Sequence, residues 1–109
     1  MSRPSALLQG TLYLLILKIL DLEPRTGWEI SRRLRQQSNE TLQVSHGSLY
    51  PALHKLEHEG WIRGHWRESG TGRPAKFYSL TAAGRKQLRA EAANWSRLSQ
   101  AINGILESV

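Results

Sequence analysis

Ser45–Gly60, SHGSLYPALHKLEHEG, carries the densest set of structural signals in the chain. Ser45 is a favoured N-cap residue, because its hydroxyl can accept from a free backbone N–H of a first helical turn. Leu49, Leu53 and Leu56 follow at spacings of four and three, which sets one apolar face on a helix. Gly60 stands where a helix C-terminus commonly needs a left-handed residue. Pro51 is harmless in a first turn but deletes a hydrogen bond if the helix already begins at His46, so the start of this helix is left open. With Leu49 at zero and ~100° per residue, Leu53 and Leu56 fall within about 40° of it. Gly47, Pro51, His54, Lys55 and His58 fall at about 140° to 240°. One side is apolar, and the other is polar, basic and small near its start.

Working outward toward the N-terminus, Leu7, Leu8, Leu12, Leu15, Ile16, Ile19, Leu20 and Leu22 recur three and four apart, which predicts a first helix from Leu7 to Leu22. Tyr13, Leu14 and Leu17 widen the stripe, so this helix is expected to be buried on more than one side. Pro24 ends it, and Arg25-Thr26-Gly27 reads as a turn. A second helix is signalled by Ile30 and Leu34, with Glu29 early and Arg32, Arg33 and Arg35 late, as the helix dipole prefers. Ser38-Asn39-Glu40 then reads as a loop, and Leu42-Gln43-Val44 as a short extended segment.

Beyond Gly60, Trp61-Ile62-Arg63-Gly64-His65-Trp66 and Lys76-Phe77-Tyr78-Ser79-Leu80 flank Gly70-Thr71-Gly72-Arg73-Pro74. Two aromatic-rich segments around a Gly/Pro turn form the pattern of a β-hairpin, with a loop too long for a two-residue turn. Thr81 then caps a long last helix in which Leu88, Trp95, Ile102 and Val109 recur every seven residues, and Leu98 and Ile105 fall three after Trp95 and Ile102. That is a short coiled-coil-like seam.

Among 109 residues, 15 Lys and Arg stand against 9 Asp and Glu, for a formal charge of +6 and a pI near 10.3. A chain of this length builds one compact core, and its charge suits a polyanion such as nucleic acid. It has no cysteine, which excludes disulfides, thiolate metal ligands and cysteine nucleophiles and suits a reducing compartment. The longest clean apolar stretch, Leu12–Leu17, is far short of the roughly 18 to 20 residues that span a bilayer. No signal-peptide cleavage pattern follows it, so a cytoplasmic protein with no membrane partner is expected. No glycine-bracketed nucleophile, phosphate loop or acid pair at catalytic spacing occurs, so neither an enzyme nor a cofactor is expected. His46, His54, His58 and His65 lie within twenty residues, and His54 and His58 share a helix face as a zinc pair would. Third and fourth ligands are missing, so no metal is expected, and protonation-dependent contact with phosphate suits these imidazoles better.

Helix, helix, helix and basic hairpin is the order of a winged helix, in which the third helix enters the major groove and the hairpin follows the backbone. Arg73 and Lys76 flank Pro74, so two long cations are expected to project from a stiffened turn, with Gly70 and Gly72 permitting close approach to phosphate. Each signal alone also fits an ordinary solvated surface. Their combination on one face favours DNA.

Leu8-Gln9-Gly10-Thr11-Leu12, Gly27-Trp28-Glu29-Ile30, Gly47-Ser48-Leu49-Tyr50-Pro51-Ala52-Leu53, Leu56-Glu57 with Gly60, and Gly72-Arg73-Pro74-Ala75-Lys76-Phe77-Tyr78-Ser79-Leu80-Thr81 with Gly84 resemble the PadR family of bacterial transcriptional regulators. The resemblance covers nearly the whole chain. Trp28 stands where the family usually has tyrosine, and Thr26 where histidine is frequent. The resemblance implies that Tyr50 and the small residues before it, Ser45, Gly47 and Ser48, lie at the DNA backbone, with His46 and Pro51 also at the DNA. It places His54 and Lys55 in or beside the groove, and Arg73 and Lys76 in the wing contact.

It also implies a homodimer through the N-terminal and C-terminal helices, here Leu8 and Leu12 with Leu88, Trp95, Leu98, Ile102 and Ile105, which agrees with the heptad spacing. In some similar short members a tryptophan on the last helix lines a pore between subunits and stacks on planar aromatic ligands. That makes Trp95 a candidate contact for a small aromatic effector, although dimer packing explains it as well and is favoured.

The expected fold is therefore mainly α with a small β-hairpin. Residues 1–81 form a winged helix-turn-helix DNA-binding domain, and residues 82–109 a long C-terminal dimerisation helix. The expected partners are a double-stranded DNA operator of pseudo-palindromic sequence and a second copy of the chain, and the expected role is repression. The alternative is a basic protein-interaction module without sequence-specific DNA binding.

Overall fold

The computed structural model describes the backbone of residues 4–108 and the side chains of residues 11–108. Helix α1, Pro4–Ile19, places Leu12, Ile16, Leu17 and Ile19 in the core, with Leu20 just beyond its end. It stops three residues short of the expected Leu22. The Asp21 amide bonds to the Lys18 carbonyl at 3.1 Å, which tightens the chain out of α-helical register, and the buried Arg25 side chain donates from Nε to the Ile19 carbonyl at 3.3 Å. That carbonyl would otherwise serve the next turn of helix. Leu22, 84% exposed, belongs to the turn and not to the apolar stripe.

Arg25–Thr26, expected as part of a turn, is a short strand, β1. Thr26 then caps helix α2, Gly27–Gln37, in a capping box: the Glu29 amide donates to Thr26 Oγ1 at 3.2 Å, and the Thr26 amide to Glu29 Oε1 at 2.9 Å. Ile30 and Leu34 face the core. Asn39 and Glu40 turn the chain with φ of 53° and 66°. Leu42–Val44 is irregular and not extended into a strand, because Leu42 and Val44 lie partly buried against the core without a pairing neighbour.

Helix α3 runs His46–His58, so Pro51 lies inside it and the hydrogen bond to the Gly47 carbonyl is forgone. Ser45 Oγ accepts from the Ser48 amide at 3.2 Å at its start. At its end the Gly60 amide reaches the Glu57 carbonyl and the Trp61 amide the Leu56 carbonyl, both at 3.0 Å, with Gly60 at φ 78°. This Schellman closure is the stop that Gly60 signalled.

Strands β2, Ile62–Glu68, and β3, Pro74–Leu80, form the hairpin, in register from Ile62 opposite Leu80 to Glu68 opposite Pro74. With β1 they make an antiparallel sheet in the order β1-β3-β2. Its loop is closed by the Ser69 amide and hydroxyl, which donate to the Arg73 carbonyl at 2.9 and 2.8 Å.

Helix α4, Ala82–Leu106, begins at Thr81, whose hydroxyl accepts from the Gly84 amide at 3.0 Å. Its first turns are buried through Gly84 and Leu88, and the remainder is largely exposed. Leu12 and Leu88, expected at a dimer interface, lie in the chain's own core at 3% and 7% exposure, where α1 and α4 pack together. Leu8 and Val109 lie outside the residues whose side chains are described.

Candidate nucleic-acid interface

The buried face of α3 consists of Leu49, Ala52, Leu53 and Leu56. Gly47, Pro51, His54, Lys55 and His58, expected opposite the leucines from their angular positions, are exposed, as are Ser45, His46 and Ser48 at the start of the helix. His46 meets the Tyr50 ring edge-on at 5.6 Å. Tyr50, itself half-exposed, lies against the start of α2, where a Cβ on Gly27 would come within 2.7 Å of its hydroxyl. A side chain at residue 27 would displace the Tyr50 ring from this position. Lys55 leans toward Glu59 at 3.8 Å, an exposed i,i+4 pair that holds the ammonium only weakly. The face thus offers hydroxyls, imidazoles and one mobile cation over a small-residue start, a donor set that suits phosphate oxygens and base edges.

The wing divides its two expected cations. Arg73 is exposed, and only its carbonyl is used to close the loop. Lys76 departs from the expectation that it projects from the turn beside Arg73: it lies inside β3, opposite Trp66, and its ammonium reaches Glu57 Oε1 on α3 at 3.3 Å. The cause is register, since Lys76 shares a sheet face with Tyr78, whose buried ring lies 5.3 Å below the ammonium. Burial pushes the Tyr78 phenol above the ordinary tyrosine range, with the Lys76 charge pulling the other way.

Several residues here lay beyond the sequence-based site. Trp28 and Trp66, exposed at 59% and 69%, help wall an open pocket of about 400 Å³ between α2, α3 and the wing, together with Tyr50, Lys76 and Tyr78. Arg32 lies over the Trp28 ring at 4.7 Å, and Arg67 over Phe77 at 3.9 Å. The period-two pattern of β2 was available to place Gly64 and Trp66 on one face with Ile62, and Arg63 and Arg67 on the other. The role of Glu57 had no such signal, because its partners lie in strands that only tertiary structure brings to it.

On α4, Trp95, Leu98, Ile102 and Ile105 are exposed, together with Leu106. Large apolar groups in a row on an exposed helix mark a surface for association. Of the heptad positions, Leu88 is buried and the exposed ones begin at Trp95, one repeat later.

Three packed helices, a hairpin wing and a polar outer face on the third helix define a winged helix-turn-helix protein. Residues 16–90 match the model of the transcriptional regulator PadR-like family, and the chain belongs to that family, whose members are transcriptional regulators and not enzymes. It is 30% identical over 73 residues to the negative transcriptional regulator PadR of Bacillus subtilis, a match that covers 67% of this chain and 40% of that protein. The fold superposes on a PadR-like transcriptional regulator from Bacillus cereus with a TM-score of 0.84 at 32% identity, covering 95% of this chain and 99% of the other. A transcriptional regulator from Clostridium thermocellum shares the fold with a TM-score of 0.86 at 24% identity, over 94% and 99% of the two chains. Among the described residues, no helix is long and apolar enough to cross a membrane.

Proposed function

We propose that the chain is a homodimeric, sequence-specific repressor that lays α3 in the major groove and its wing along the backbone of a pseudo-palindromic operator. The observation that carries this reading is the division of α3 between buried leucines and an exposed face running from Ser45, His46, Gly47 and Ser48 through Tyr50 and Pro51 to His54 and Lys55. Arg73 adds a phosphate contact from the wing tip. Residues 1–81 do the reading and residues 82–109 the pairing, with Trp95, Leu98, Ile102 and Ile105 covered by the same residues of a second copy. Two-fold symmetry then spaces the half-sites about 34–36 Å apart, one turn of DNA.

Repression is supported by the B. subtilis relative, which is a negative regulator. A planar aromatic effector would act at Trp95, where stacking on the indole competes with seam packing. The protein works in the cytoplasm, alongside the DNA it binds.

The test is selection of duplexes from a random pool, followed by affinity against salt. A selected duplex is expected to bind more tightly than a random one, with log affinity falling steeply with log salt. Arg73→Ala should make that slope shallower by about 0.9 per lost contact, or about 1.8 for a dimer. A wild-type chain that selects no sequence overturns the reading and leaves a basic protein-interaction module.

A further inference from the structure

One carboxylate on α3 joins that helix to both strands of the wing. Glu57 Oε1 accepts from Lys76 Nζ in β3 at 3.3 Å, and Glu57 Oε2 accepts from the Gly64 amide in β2 at 3.3 Å. The Thr81 amide bonds to the Trp61 carbonyl at 3.1 Å and the Ser69 amide to the Arg73 carbonyl at 2.9 Å, so the hydrogen-bonded pairs of the hairpin fall at odd-numbered residues of β2. Gly64, opposite Tyr78, is then a non-hydrogen-bonded position, and its N–H points outward from the free edge of β2. Glu57 covers that edge donor.

The Lys76 stem reaches the carboxylate by crossing Gly64. A Cβ there would run into Lys76 Cε and come within 3.0 Å of Glu57 Oε2, so any side chain at this position would make the Lys76 stem shift from its present path. The charged pair is about two-thirds withdrawn from solvent, with side-chain exposures of 34% for Lys76 and 33% for Glu57.

We propose that Glu57 and Lys76 are positioning residues that clasp the wing to α3 and set its pitch toward DNA, and that Lys76 makes no phosphate contact. The proposal rests on the DNA-binding reading above and divides the wing's labour: Arg73 meets phosphate, while Lys76 turns its charge inward. A sign-opposed consequence follows for Glu57. If it were merely an acidic residue near a polyanion, Glu57→Gln would remove a repulsion and strengthen binding to every duplex. As a clasp, its loss loosens the wing, so binding to the selected duplex weakens while binding to random duplex does not.

Four variants decide the matter, measured on a duplex selected by the wild-type chain and on a random duplex, with far-UV circular dichroism confirming that each is folded. Glu57→Gln is expected to lower the ratio of selected to random affinity about three- to tenfold, the scale of one partly exposed charged hydrogen bond. Lys76→Met should lower the ratio similarly and leave the salt slope at the wild-type value, whereas Arg73→Ala makes the slope shallower. Lys76→Arg preserves the pair and should preserve the ratio. A Lys76→Met slope as shallow as that of Arg73→Ala overturns the proposal, as does a Glu57→Gln variant that binds both duplexes more tightly by the same factor.

A separate arm needs no DNA. Amide exchange at Gly64 should become about tenfold faster in Glu57→Ala, while the ladder amides of Arg63 and His65 keep their protection. Unchanged exchange at Gly64 overturns the clasp even if DNA is bound. A chain that selects no duplex but shows the faster exchange would instead condemn the DNA reading and spare the joint.

Discussion

Replacing Gly84 by alanine sets two opposed effects against each other, and the surroundings of that residue decide the balance. Alanine favours a helix over glycine by about 0.8–1 kcal/mol, so local propensity predicts a more stable chain. The first turn of α4, however, lies directly on the wing root. A Cβ on Gly84 would fall on the Trp61 carbonyl oxygen and lie 2.8 Å from both the Trp61 carbonyl carbon and Leu80 Cδ1. The carbonyl is not free to withdraw, because it accepts from the Thr81 amide at 3.1 Å while the Trp61 amide is tied to Leu56 at 3.0 Å. The helix must shift instead, at a cost of about 1–3 kcal/mol for overpacking and about 1 kcal/mol for the weakened Thr81 bond. After the propensity gain, the net loss is about 2 kcal/mol. In urea unfolding at fixed protomer concentration, that lowers the midpoint by about 1–2 M. Gly104→Ala is the control: it lies on the same helix, nothing would stand within 4 Å of its Cβ, and it should gain up to about 1 kcal/mol. A Gly84→Ala chain as stable as wild type would show that α4 can slide on the wing root without cost.

Ile102→Glu should leave the unfolding of the winged-helix core intact and shift the chain from dimer to monomer in light scattering, because Ile102 is exposed in the single chain and central to the proposed seam. A persistent dimer would place the interface elsewhere. Tyr78 gives a pH prediction: its folded-state pKa is raised by burial, so its contribution is fully present below the unfolded value of about 10 and is lost as pH rises through the folded value. Between pH 9 and 11 wild type should therefore lose stability more steeply than Tyr78→Phe in urea titrations, and equal losses would refute the assignment.

What was legible in the sequence was what is settled locally. Ser45, the leucines at 49, 53 and 56, and Gly60 specify α3 within 16 residues, and the structure returns the same core face and the same stop. Thr26 and Glu29 carried an equally local capping-box signal that the turn reading passed over. The other departures depend on partners distant in the chain. Arg25–Thr26 is a strand only because β3 supplies Tyr78 and Phe77 beside it. Heptad spacing cannot tell a residue covered by its own chain from one covered by a copy, and so it grouped Leu88 with Trp95, Leu98, Ile102 and Ile105 although Leu88 is buried in the single chain. Lys76 looked like a free cation because neither the register of β3 nor the carboxylate on α3 is visible from Arg73-Pro74-Ala75-Lys76.

The same long-range contacts bear on how pairing and reading are connected. Thr81 caps α4, donates its amide to the Trp61 carbonyl at 3.1 Å, and donates its hydroxyl to the Gly60 carbonyl at 2.7 Å. Gly60 and Trp61 are the residues that close α3 and lead into β2. The helix that bears the proposed seam therefore leaves from the joint where α3 ends and the wing begins, with no linker between them. In a dimer paired along Trp95, Leu98, Ile102 and Ile105, the crossing of the two α4 helices sets the separation of the two α3 helices through that joint. A change of packing at Trp95 would then be felt as a change in half-site spacing, because the intervening turns of α4 are continuous helix down to buried Leu88 and Gly84.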